Sequence, residues 1–122
     1  LLSHTLSNMI VDIKHKTAYM YLTQQSLNKY NFKKGDTEGF VNYGLTIKGV
    51  KFAAIFIENE ADKIIKISLR SKGNFNVNEF SRDNFNGGGH INAAGGYSKE
   101  KLEDTVSKFK NLLPKYKTKL SE

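Results

Sequence analysis

With 122 residues, 39% of them hydrophobic, the chain has the length and apolar content of one domain around one core. It has no cysteine, which excludes disulfides and thiolate metal sites, and no apolar run of about eighteen residues, which excludes a membrane-spanning helix and fits a soluble, cytoplasmic protein. Nineteen Lys and Arg against twelve Asp and Glu leave a formal charge of +7, which favours an anionic partner such as a nucleotide, a nucleic acid or a membrane surface.

The chain begins with Leu1 rather than Met, which reads as a piece of a longer polypeptide. Leu2, Leu6, Met9, Ile10 and Ile13 recur at helical spacing, so residues 1–14 are expected to form a connector helix, followed by one domain over 15–122. KTAYMYLT at 16–23 alternates like a strand, and Thr23 is placed to cap a short helix through Tyr30. After the turn-rich KKGDTEGF, the stretch FVNYGLTI is read as one short helix. VKFAAIFI at 50–57 is apolar on both faces, as in a strand buried from both sides. KIIKISLRS follows after ENEAD as its hairpin partner, with Ile65, Ile67 and Leu69 on one face and Ile64, Lys66, Ser68 and Arg70 on the other. Asn76 and Glu79 have the capping-box spacing for a short helix.

In FNGGGHINAAGG, at 85–96, five of the ten glycines are crowded together. HINAA is read as a helical turn stopped by Gly95 and Gly96, with Tyr97 in an edge strand. Ser98 is expected to cap a final helix in which Leu102, Val106, Phe109 and Leu113 recur at helical spacing, ending near Pro114. Lys108, Lys110, Lys115, Lys117 and Lys119 crowd its C-terminal end, where cations suit the helix dipole.

Three features bear on chemistry. A glycine loop opening onto a helical turn presents bare N–H groups and a positive dipole end to a phosphate, although three glycines also suit a tight turn. The loop is neither a P-loop, since no GK[ST] follows, nor a dinucleotide fingerprint, since Asn92 stands where that pattern has glycine. His90, attached to this loop, has the chemistry to donate to a phosphate, to coordinate a metal or to cap a helix, and no companion stands at metal-ligand spacing. Arg70 ends a strand beside Ser68 and Ser71, where a guanidinium holds a phosphate by two parallel hydrogen bonds or merely decorates the surface. Asp36 and Glu38 are read as local caps, and no nucleophile with a base or paired-carboxylate centre is visible.

The segments GDTEGFVNYGLTIKGVKFAAIF, KISLRSKGNFNVNEFSR and FNGGGHINAAGG, in this order, resemble the C-terminal DHH-associated domain of the DHH family of phosphoesterases. The resemblance is strongest to the bifunctional oligoribonuclease and pAp phosphatase group, which includes cyclic-dinucleotide phosphodiesterases. It implies an α/β (α+β) fold, a mixed sheet of about four or five strands flanked by helices. It also implies a substrate-binding domain that works with an N-terminal DHH domain holding two divalent metals, usually manganese, on short RNA, pAp or dinucleotides. By resemblance, Arg70, Gly87, Gly88, Gly89 and His90 bind substrate, with Ser68, Asn42 and Asn92 in second rank. No Asp-His-His motif occurs in the chain, so no catalytic or metal-binding residue is assigned here, and the chain alone is expected to be inactive. A homodimer of the full-length protein is left open. A related domain ends some alanyl-tRNA synthetases, so a non-catalytic tRNA-binding module is the competing reading.

Overall fold

The computed structural model describes every residue except Phe32, Lys34, Asp36 and Glu38, so the readings placed on Asp36 and Glu38 lie outside the described residues. Among the described residues six strands form one mixed sheet: β1 (Ile10–Asp12), β2 (Thr17–Leu22), β3 (Phe52–Asn59), β4 (Ile64–Ser71), β5 (Gly88–His90) and β6 (Ala93–Ser98), in the spatial order β1-β2-β3-β4-β6-β5. β2 and β3 run parallel, and every other neighbouring pair is antiparallel. The helices are α1 (Leu2–Ser7), α2 (Gln24–Lys29), α3 (Val77–Asn84), α4 (Leu102–Leu112) and α5 (Lys117–Ser121), with a 3-10 segment over Phe40–Thr46 where one short helix was expected.

Strand alternation splits the core in two. On one face Tyr19, Phe52, Ala54, Phe56, Ile65, Ile67 and Leu69 meet α3, α4 and the C-terminal helical segments in a phenylalanine-rich core. Phe52 stands 4.7 Å from Phe75 and 5.0 Å from Phe80, ring centre to ring centre, in the tilted and edge-on arrangements that the ring quadrupoles favour. On the other face Met20, Leu22, Ala53 and Ile55 pack under α1, α2 and the 3-10 segment. Gly44 makes that second contact close: a Cβ there would stand 2.9 Å from the Ala53 Cβ and 3.3 Å from the Ala18 Cβ.

The β3–β4 hairpin and the Asn76 cap form as the spacing predicts, the Asn76 side chain accepting from the Glu79 N–H at 3.0 Å. Four readings are corrected. The first helix stops at Ser7, and Ile10–Asp12 pairs with β2, because the β-branched Ile10 and Val11 satisfy a sheet edge that local periodicity cannot reveal. HINAA is no helical turn but a hairpin: β5 turns at Ile91 and Asn92 into β6, so Tyr97 lies in a strand flanked by β4 and not at an edge. Ser98 therefore belongs to β6; Lys101 takes the N-cap of α4, and the Ser98 hydroxyl instead accepts from Thr105 Oγ1 at 2.9 Å and from the Glu100 N–H at 3.1 Å. Beyond Pro114 the chain is helical again, burying Leu120 in the phenylalanine core.

Candidate functional site

Among the described residues the second sheet face is sealed over β2 and β3 and half-buried to exposed over β4, β6 and β5. Cross-strand pairing sets Ala18 opposite Ala53, Ala53 opposite Arg70, Arg70 opposite Ala93 and Ala93 opposite His90, so these five residues form one row on one face. The next rows bring Ser68 beside Gly95 and Lys66 beside Tyr97. With Ala93 and Gly95 between them, the Arg70 and His90 strands bound a shallow trough about 10 Å across, two strand spacings. The 3-10 segment, seated on Ala18 and Ala53, forms the wall behind Arg70 and carries the exposed Asn42.

The polar groups on this face are unengaged. Among the described residues the side chains of Ser68, Lys66, His90, Tyr97 and Asn42 have no hydrogen-bond or ion-pair partner, and Arg70 uses one nitrogen, Nη1, donating to the Leu69 carbonyl at 2.9 Å. Arg70 is thus a half-buried guanidinium without a carboxylate partner among the described residues, on the same sheet row as the exposed His90, and a guanidinium in that condition has the donors to take an anion.

The glycines play a different part from the one expected. A Cβ on Gly87 would stand 1.9 Å from the Gly95 carbonyl oxygen, so two backbones touch there; a Cβ on Gly89 would stand 2.7 Å from the Ala93 oxygen. The Gly87 N–H donates to the Ser81 carbonyl at 3.4 Å and the Gly89 N–H to Asn78 Oδ1 at 2.9 Å, which leaves these two amides spent on α3. No helix N-terminus follows the glycines. Their lack of side chains lets β5 lie between β6 and α3 and brings His90 to the rim. Asn92 also acts within the fold, its amide nitrogen donating to Ser71 Oγ at 2.9 Å and to the Gly73 carbonyl at 3.1 Å, which pins the hairpin tip to the end of β4.

Sequence reading placed Arg70, Ser68 and Lys66 on one face, and the structure joins them to His90. It missed Ala93, Gly95 and Tyr97 as floor and wall, since nothing in AAGGY suggests a strand by propensity. A separate concavity of about 300 Å³ opens beside Tyr97 at Asn84, Asn86, Lys99 and Lys108. Its Lys108 ammonium is already bound to the Asn84 carbonyl at 2.7 Å and lies over the Phe85 ring. Among the described residues no three His, Cys, Asp or Glu side chains are gathered to hold a metal ion, and no helix is long and apolar enough to cross a membrane.

The profile of the DHHA1 domain matches residues 7–116. The chain belongs to the DHHA1 domain family. It is 35% identical over 113 residues to the probable bifunctional oligoribonuclease and PAP phosphatase NrnA of Streptococcus mutans, a match covering 91% of this chain and 35% of that protein. The crystal structure of an exopolyphosphatase-related protein from Bacteroides fragilis superposes with a TM-score of 0.95 at 43% identity, over 99% of this chain and 35% of that one. The pGpG-specific phosphodiesterase PggH of Vibrio cholerae shares the fold, with a TM-score of 0.64 at 16% identity over 93% of this chain and 36% of that one. This DHHA1 domain thus spans about a third of the length of the relatives it matches.

Proposed function

We propose that this DHHA1 domain is the substrate-gripping half of a phosphoesterase acting on short oligoribonucleotides, pAp or cyclic and linear dinucleotides. The observation that carries the reading is the row of Arg70, Ala93 and His90: a cation and a hydrogen-bonding ring on opposite rims of a floor without bulk. In this reading Arg70 holds a phosphate through two parallel N–H donors, His90 contacts it from the far rim, and the Ser68 hydroxyl adds a third contact from the next row. Gly87, Gly88 and Gly89 shape the His90 strand, Asn92 fixes its tip, and Asn42 faces the ligand from the wall. Lys66 and the Tyr97 ring extend the face toward the nucleoside.

The relatives named above are three times as long, and the family resemblance assigns their other part to a DHH domain with divalent metals, manganese above all. By the same resemblance the hydrolytic water is assigned to that companion. The metal chemistry would supply an activated hydroxide, and this domain would orient the phosphodiester and offset its charge.

The test is Arg70→Lys in the full-length protein. Charge is kept but the planar two-point contact is lost, so kcat/KM for pAp should fall by about 1–3 kcal/mol in activation free energy with the melting curve unmoved. Unchanged kinetics would return Arg70 to the role of a surface cation. A tRNA-binding module would instead show an affinity that collapses steeply with salt and no response to pAp.

A further inference from the structure

The connections at the Arg70 end of the sheet bring three lysines together. Lys16 closes the β1–β2 turn, Lys51 precedes β3 and Lys72 follows β4. The Lys51 N–H donates to the Lys16 carbonyl at 2.8 Å and the Lys72 N–H to the Lys51 carbonyl at 2.9 Å, so the ladder runs one step beyond Thr17, Phe52 and Ser71. Neighbours in such a row have backbones about 4.8 Å apart, and like charges side by side destabilise a sheet. No carboxylate side chain among the described residues bridges any of the three; Lys51 reaches the backbone carbonyl oxygen of Glu122. Lys14 and Lys48, on the same two turns, are exposed, and Gly49 packs near Ile13, which draws those turns together. Two acidic residues stand at this corner: Asp12, held by His15 at 2.7 Å, and Glu122, whose backbone oxygen takes Lys51.

A fold that tolerates this repulsion at one end of its sheet has a use for positive charge there. Lys72 lies two residues beyond Arg70, about 7 Å along the strand, so the row continues the charge of the trough. We propose that Lys16 and Lys72, on either side of a Lys51 already engaged with Glu122, form a phosphate rail, taking the backbone of an oligoribonucleotide beyond the nucleotide held at Arg70 and His90. This inference rests on the function proposed above and adds a length preference to it: single nucleotides ignore the rail, and longer chains use it. Ile13 is exposed beside the row, which makes an anionic membrane the competing ligand.

The experiment uses the double variant Lys16→Gln/Lys72→Gln of the full-length protein, leaving Lys51 and its Glu122 contact intact. Binding of fluorescein-labelled penta-adenylate and of adenosine 3′,5′-bisphosphate is measured with metal withheld, at about 50 and 200 mM salt, where phosphate contacts differ most. The expected result is a roughly tenfold weaker pentamer, a salt slope shallower by about one, and bisphosphate binding within about twofold of wild type. Undiminished pentamer binding, an equal loss for both ligands, or a loss confined to phosphatidylserine vesicles would overturn the rail. Wild-type protein that binds neither nucleotide would overturn the proposed function itself. The melting temperature should hold or rise, since the substitutions relieve a like-charge row, and a marked fall would mark the lysines as structural.

Discussion

The two halves of one sheet face obey the same alternation and come to opposite ends. Over β2 and β3, Met20, Leu22, Ala53 and Ile55 are sealed under helices. Over β4 and β6 the positions continuing those rows are Arg70, Ser68 and Lys66, then Ala93, Gly95 and Tyr97, and among the described residues these are half-buried or exposed rather than sealed. Each hydrophobic residue buried on the first half removes apolar area from water, at roughly 25 cal/mol per Å². The second half forgoes that gain and keeps unengaged donors instead. The proposed binding face is thus the place where the covering layer stops.

The contrast breaks most severely at Gly87→Ala. The added methyl would sit within bonding range of the Gly95 oxygen, and backbone cannot step aside as a side chain can, so we expect a loss of at least about 3 kcal/mol in urea unfolding. A variant as stable as wild type would show that the contact between β5 and β6 is not the reason for the glycine. Ala93→Leu sharpens the contrast from the other side. Ala93 is half-exposed, so a larger side chain has room without disturbing the core, yet it fills the floor between Arg70 and His90. Nucleotide affinity should drop by more than about tenfold, or 1.4 kcal/mol, at constant melting temperature, and calorimetric titration with pAp measures both outcomes on one sample. Smaller again is His90→Ala, expected to lower kcat/KM about tenfold because one partner of the phosphate goes without new bulk entering. A silent substitution would confine the receptor to the β4 rim.

How much of this was legible beforehand depended on local signals. The β3–β4 hairpin could be read because Ile65, Ile67 and Leu69 alternate with polar residues, and that alternation placed Arg70 with Ser68. α3 could be read from Asn76 and Glu79, and α4 from its apolar spacing. β6 could not, since Ala93, Ala94, Gly95 and Gly96 carry no strand propensity and become a strand only because β4 offers a ladder. β1 was hidden differently: Ile10 and Val11 favour a strand, but the helical spacing of Leu2, Leu6, Met9, Ile10 and Ile13 masked it. The candidate row was half legible: Arg70 and His90 stood out as residues, but their adjacency depends on a strand order that brings β6 between β4 and β5. The glycines, read as a phosphate loop, are engaged in close packing against α3 and β6.

The hairpin bearing His90 is fastened at both ends. At its tip the Asn92 amide and the Ile91 carbonyl are tied to Ser71 and to the start of α3; at its root Gly87 is pressed against Gly95, and Asn78 grips Gly89. Such a mounting leaves His90 no hinge of its own. The gap between the two rims is then a fixed gauge, set by strand spacing before any ligand arrives, and little ordering entropy remains to be lost on this side when one binds. If the proposed function holds, closure around a nucleotide falls to motion of this unit as a whole body, an anvil against which something else must move.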